Sequence, residues 1–271
     1  MRNSINYITK LKKSMKKITQ LITAVVIALL STTSPLFAGQ VTITAASDLQ
    51  YAMKDIIAAF ESKNPGDTVA AVYGSSGKAF SQIENGAPYD MFFSADISYP
   101  EKLKQSGMAI SEPKPYAIGR ITVWVTKASG LDVSKGIALL SDPKIKTIAI
   151  ANPEHAPYGR IAKEVLEHEK VYEKLKSKLV LGENIQQTAQ FVQTGAADAG
   201  IIAYSLVLAP ALAKEGNYYL IPTTAHQPIV QGYVLLKQAA GNAAAAKFEQ
   251  FIASPAARAI FKKYGFILPN E

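Results

Sequence analysis

Apolar and polar positions along the chain switch between two periods, and the switches recur in a fixed order. Val41-Thr42-Ile43-Thr44 alternates as a strand does. Residues 51–60 then carry apolar side chains at helical spacing, so Ala45-Ala46-Ser47-Asp48-Leu49 stands where a strand turns into a helix. The construction repeats. Residues 67–73 read as a strand, Gly74-Ser75-Ser76-Gly77-Lys78 as a turn, and residues 79–84 as the start of a helix. Residues 90–93 form a short apolar strand, and Ser94-Ala95-Asp96 caps a helix through Lys102 that Gly107 ends. Residues 108–117, with Pro113 and Pro115, read as a loop.

Residues 119–126 are a strand suited to carry the chain into a second unit, where the alternation restarts. Strands are predicted over 147–151, 178–181, 198–204 and 218–222, with helices over 160–169 and 185–194. A long strand over 229–237 leads into two closing helices, 243–253 and 255–263, the last capped by Ser254 with Pro255 in its first turn. Strand–helix alternation of this kind predicts parallel α/β sheets.

The two Ser-bearing junctions carry the candidate chemistry. The first amides of a helix have no intrahelical acceptor, and the helix dipole adds partial positive charge there. A Ser hydroxyl beside such amides makes an anion site, although Ser47 or Asp48 taken alone reads first as a helix cap. Two junctions can aim their amides at one small oxyanion.

Composition changes the picture in three ways. Arg2, Lys10, Lys12, Lys13, Lys16 and Lys17 precede an apolar run over 21–30 and a small residue, Ala38. That is the layout of a secretory signal peptide over residues 1–38, cleaved near Ala38, with Met15 as an alternative start and a retained anchor as the competing reading. Second, the net charge of +8 comes from 29 basic and 21 acidic residues, and those six basic residues leave with the signal. The remaining +2 is no argument for nucleic acid. Third, the chain has no Cys. Disulfides, thiolate metal sites and a Cys nucleophile are excluded, as is a lipid anchor on Cys, so no stable membrane insertion is expected after signal removal.

Ala45-Ala46-Ser47, Gly74-Ser75-Ser76-Gly77-Lys78, Gly86-Ala87-Pro88-Tyr89-Asp90, Phe93-Ser94-Ala95-Asp96, the PEHAPYG stretch from Pro153 to Gly159, and the ending Phe261-Lys262-Lys263-Tyr264-Gly265-Phe266 follow one another in an order and spacing that resembles the periplasmic molybdate-binding proteins of ABC transporters, the ModA family. The resemblance runs over essentially all of residues 39–271. It implies a type II periplasmic-binding-protein fold, with two α/β lobes joined by two hinge crossings and the ligand in the interlobe cleft. Lobe one would be 39–119 plus 227–271, and lobe two 120–226. It implies a periplasmic, monomeric, non-enzymatic protein that captures molybdate or tungstate, uses no cofactor, and delivers its ligand to a membrane permease with its ATPase. Molybdenum would be met as the oxyanion alone. Ser47 would give hydroxyl and amide, and Asp48 its amide. Ser76 matches the second family Ser, with Ser75 beside it. Tyr158 and Ile185 would give backbone amides at helix starts. Some members use a Tyr hydroxyl near Gly200. An ungapped match puts Ala203 there, with Tyr204 one residue late, so the hydroxyl comes from Tyr204 or is replaced by another group such as Tyr158.

The remaining motifs are weaker. A phosphate loop requires Gly where Val72 stands, which leaves Lys78 as a solvated first-turn residue. His155, His168 and His226 have no metal-ligand spacing, and His155 reads as structural. The competing readings are the same fold with sulfate, phosphate or ferric iron as ligand, and an adhesin or sensor role that no extra domain supports. Iron would call for Tyr or carboxylate ligands.

Overall fold

The computed structural model describes residues 39–269 and the isolated Met15. The signal peptide expected over residues 1–38, with cleavage near Ala38, lies outside the described residues apart from Met15. Ten strands carry the architecture: β1 Gln40–Ala46, β2 Thr68–Gly74, β3 Met91–Ser94, β4 Lys114–Gly119, β5 Ile121–Thr126, β6 Ile148–Ala151, β7 Leu179–Gly182, β8 Ala199–Ala203, β9 Gly216–Leu220 and β10 Ile229–Leu235. Among the described residues, the α-helices of eight residues or more are α1 Gln50–Lys63, α2 Ser76–Glu84, α3 Ser98–Gln105, α4 Pro157–His168, α5 Ile185–Gln193, α6 Ala243–Ile252 and α7 Pro255–Lys263.

The strands form two five-stranded sheets, ordered β2-β1-β3-β10-β4 and β7-β6-β8-β5-β9. Each is mixed rather than wholly parallel. β1 runs parallel to β2 and β3, while β10 is antiparallel to β3 and β4. In the second sheet β6 runs parallel to β7 and β8, while β5 is antiparallel to β8 and β9. The antiparallel members are where the chain passes between halves, from β4 into β5 and from β9 into β10. Crossover helices enforce parallel pairing only within each βα run.

The loop expected over 108–117 is partly a strand. β4 holds Pro115, which has no N–H to give to a ladder. An edge position tolerates this, and β4 is the edge of its sheet, with the register shifting between Gln231 and Gly232 opposite Pro115. The third helix runs past Lys102 to Gln105, and β10 stops at Leu235.

The caps follow local chemistry. Asn184 Oδ1 accepts from the amides of Gln186 and Gln187, and Asn242 Oδ1 from those of Ala244 and Ala245. Ser254 Oγ accepts from Ala257, with Pro255 at the first helical position as its fixed φ favours. The first half closes over aromatics from both ends of the chain. Phe60 on α1 meets Phe248 on α6 edge-on at 5.0 Å, and both are fully buried. A buried Phe contributes about 1.5–3 kcal/mol. The second half packs around Trp124 and the apolar runs of β6 and β8. No helix among the described residues is long and apolar enough to cross a membrane.

Candidate functional site

Strand ends and helix starts from both halves converge on one small, nearly closed cavity of about 10 Å³. Ser47, Asp48, Ser75, Ser76, Tyr158 and Ile185 all line it. No Lys, Arg or His is among its lining residues. Tyr204, the remaining candidate, is not part of its wall. Its hydroxyl lies 3.3 Å from Tyr218 Oη, and its ring packs 5.2 Å from the Arg120 guanidinium.

β1 ends in a single turn, Ser47–Leu49, and neither Ser47 nor Asp48 caps the helix that follows. The capping reading of those two side chains therefore fails. Ser47 is 2% exposed, and its Oγ accepts from the Gln186 amide of the other half at 3.3 Å. At the second junction Ser75 is the helix cap, with Oγ 3.4 Å from the Lys78 amide. Ser75 Oγ also lies 3.0 Å from His155 Nδ1. Ser76 is fully buried, and its Oγ accepts from the Ala95 amide at 3.0 Å. From the second half, Tyr158 and Ile185 occupy the first turns of α4 and α5, where amides precede any intrahelical acceptor.

Two glycines permit this approach. The Gly77 amide donates to the His155 carbonyl at 2.9 Å across the halves. A Cβ on Gly77 would sit 2.6 Å from that oxygen. A Cβ on Gly119, where β4 hands over to β5, would sit 2.3 Å from Tyr158 Oη and 2.7 Å from Gln231 Nε2.

Behind the cavity lies a buried polar cluster. Tyr158 Oη donates to Asp48 Oδ2 at 2.9 Å, and Gln231 Nε2 donates to the same oxygen at 2.7 Å. Tyr116 Oη donates to Gln231 Oε1 at 2.6 Å, which turns the Gln231 amide nitrogen toward Asp48. Gln231 Nε2 also lies 3.0 Å from Tyr158 Oη. The Tyr158 hydroxyl is thus committed to Asp48 and Gln231. Burial pushes the Asp48 carboxyl up to about 6, against the hydrogen bonds from Gln231, Tyr158 and the backbone amides of Asp48 and Leu49. Burial and the Asp48 charge hold the Tyr116 and Tyr158 phenols well above their ordinary range. Residue-by-residue reading missed Gln231 and Tyr116. The available signal was a polar side chain within the apolar run 229–235, at a position that proves fully buried.

The rim carries charge. Lys78 Nζ pairs with Glu183 Oε2 of the other half, both about half exposed, so Lys78 is a cross-cleft partner as well as a solvated residue. His155 Nε2 lies 3.8 Å from the same Glu183 oxygen. Burial and Lys78 lower the His155 pKa, which keeps the ring neutral at neutral pH. Arg160 pairs with Asp96 on the flank, where a larger open groove runs between the halves. No group of three or more His, Asp or Glu among the described residues is arranged to hold a metal ion.

Residues 41–267 match the family of bacterial extracellular solute-binding proteins. The molybdate-binding protein ModA of Rhodobacter capsulatus is 39% identical over 235 residues, spanning 86% of this chain and 90% of that one. ModA of Azotobacter vinelandii is 36% identical over 230 residues, spanning 84% and 90%. The solved Azotobacter vinelandii periplasmic molybdate-binding protein superposes with a TM-score of 0.79 at 34% identity, covering 84% of this chain and 99% of that one. The fold is accordingly that of the periplasmic binding proteins, with two α/β halves and a cleft between them. On sequence and on structure alike, the chain belongs to the bacterial extracellular solute-binding proteins, and within them to the ModA family.

Proposed function

We propose that this protein captures molybdate, and tungstate alongside it, outside the cytoplasm, and hands the ion to an ABC importer's permease and ATPase. The observation that carries this reading is the cavity itself: Ser hydroxyls and helix-start amides from both halves, and no cationic side chain in the wall. A tetrahedral dianion held by oriented neutral donors needs no counter-charge, since each hydrogen bond to a charged group contributes about 1.5–3 kcal/mol. Ser47, Ser75, Ser76 and the amides of Asp48, Tyr158 and Ile185 are the proposed donors, and Tyr204 is left out. The ion is cargo, bound through its oxygens. The protein acts as a binder and not as an enzyme.

Residues 39–119 with 227–271 form the proposed first lobe and 120–226 the second, with cleavage near Ala38 releasing a monomer into the periplasm. Closure about the two crossings would bury the ion and bring Lys78 to Glu183 and Gly77 to His155. Selectivity then rests on size, a roomier cavity disfavouring sulfate.

The test is thermal melting of residues 39–271 with molybdate, tungstate, sulfate and phosphate. At a thousand times Kd a native-state ligand stabilises by about 4 kcal/mol, or roughly 8–16 °C for a chain of this length. Shifts with molybdate and tungstate and little with the others are expected. No shift with any oxyanion refutes the reading.

A further inference from the structure

One group at the cavity does not fit a site made of neutral donors. Asp48 lines it and is 1% exposed. Its Oδ2 already receives two hydrogen bonds, from Tyr158 and Gln231. Its Oδ1 is buried and receives no well-formed hydrogen bond, although the backbone amides of Asp48 and Leu49 lie near enough to the carboxyl to favour its charged form. An unpartnered carboxylate oxygen is costly to bury. Seating a dianion in the same cavity would set like charges against each other in a medium that screens them poorly.

We propose that Asp48 takes up one proton from solvent as the oxyanion enters, and that its Oδ1 hydroxyl then donates a hydrogen bond to the ion. This rests on the oxyanion reading above. The O–H bond forms on Oδ1 because Oδ2 remains the acceptor of Tyr158 and Gln231. The ion keeps its full charge, and the site gains a side-chain donor where it would have held a repelling carboxylate. The backbone amide of Asp48 and its side chain then serve the ion together.

The surroundings admit this and offer no substitute. Tyr158 faces the carboxyl from α4 and Gln231 from β10, with Tyr116 on β4 behind Gln231. Ser205 Oγ donates to the Asp48 backbone carbonyl at 2.8 Å. None of these is a cation, and Asp48 forms no ion pair among the described residues. Burial already lifts the carboxyl to about 6 in the empty site, so the ion has a short way to push it past neutrality. Both phenols sit far too high to titrate there. His155 touches the wall through Ser75, and Lys78 and Glu183 pair at the rim. Those are the titratable groups that must be told apart from Asp48.

The experiment is calorimetric titration of residues 39–271 with sodium molybdate at pH 6.5–8, in buffers of different ionisation heat. Uptake close to one proton per ion is expected at pH 7.5, with affinity falling about tenfold per pH unit above 7. Asp48→Asn, whose amide donates without a proton being acquired, should show neither the uptake nor the slope. Binding without proton uptake in the native protein overturns the proposal alone, and uptake that persists in Asp48→Asn assigns the proton elsewhere and overturns it too. Absence of heat with both molybdate and tungstate refutes the molybdate reading and takes this proposal with it. If Asp48→Asn fails to fold, the carboxyl ¹³C shift of Asp48 in the loaded native protein decides: a protonated value supports the assignment, and an ionised one overturns it.

Discussion

Gly119→Ala adds one methyl group at the handover from β4 to β5, and the structure says what it meets. The new Cβ would lie 2.3 Å from Tyr158 Oη and 2.7 Å from Gln231 Nε2, against 3.4 Å or more for ordinary contact. The hydroxyl must therefore retreat by roughly 1 Å. It is pinned by hydrogen bonds of 2.9 Å to Asp48 Oδ2 and 3.0 Å from Gln231, so a retreat of that size stretches them. Overpacking of a well-packed site costs about 1–3 kcal/mol, and loss of a hydrogen bond to a charged group about 1.5–3 kcal/mol. Together they put the destabilisation at about 2.5–6 kcal/mol. The backbone at Gly119 has no positive φ, so strain of the main chain does not enter. The decisive measurement is a double-mutant cycle by urea denaturation at pH 7.5 with Gly119→Ala, Tyr158→Phe and the pair. Tyr158→Phe deletes the atom the methyl strikes. The pair should therefore be less unstable than the sum of the singles, by about 1–3 kcal/mol. Part of the cost remains, because Gln231 Nε2 is still in the way. Additive effects within 0.5 kcal/mol would show that Gly119 and the Tyr158 hydroxyl do not meet.

Three further outcomes are expected. The Asp48 carboxyl titrates near 3.8 when unfolded and at about 6 when folded. The contribution of Asp48 to the stability of the ligand-free protein is fully present below the lower value, is lost by about 3 kcal/mol as pH rises through 6, and is flat above; the difference between native and Asp48→Asn equilibrium denaturation curves should show this loss, and parallel curves would contradict it. Ser76→Ala removes a buried hydroxyl from the proposed donor set and should weaken molybdate roughly tenfold to a hundredfold by calorimetry, with Tyr204→Phe unchanged; the reverse order would move the site. Glu183→Gln should change stability by less than about 1 kcal/mol, because the pair it breaks is half exposed, and a larger effect in denaturation would contradict that.

Both Ser junctions are legible in the sequence because each is local. A strand period ends, a Ser follows, and a helical period begins, so Ser47 and Ser76 can be placed without knowing the fold. The amides of Tyr158 and Ile185 come from the family resemblance instead; the helix predicted from 160 begins at Pro157, which brings Tyr158 into its first turn. The cluster around Asp48 is not legible, because its parts are joined only by folding. Gln231 lies 183 residues from Asp48, and Tyr158 lies 110 residues away. Gln231 shows as a polar side chain in an apolar strand, but nothing local names its partner. β4 was hidden for another reason. Pro113 and Pro115 argue for a loop unless the strand is an edge, and edge status follows from where β10 inserts. Tyr204 illustrates the limit of register. One residue of slip turned a candidate donor into a ring packed between Arg120 and Tyr218.

The position of β10 has a bearing on the order in which the chain can assemble. It lies between β3 and β4, and so joins two strands made more than a hundred residues earlier. Until residues 229–235 are available, β4 has no ladder partner, and Phe60 lacks the Phe248 and Phe251 that cover it. Strands β5 to β9, by contrast, come from one unbroken stretch, and that sheet can close as soon as it is made. Long-range pairing waits on loop closure and is slow. The half that opens the sequence is therefore the last to mature. Pulsed hydrogen exchange during refolding would see amides of β6 and β8 protected before those of β3 and β4.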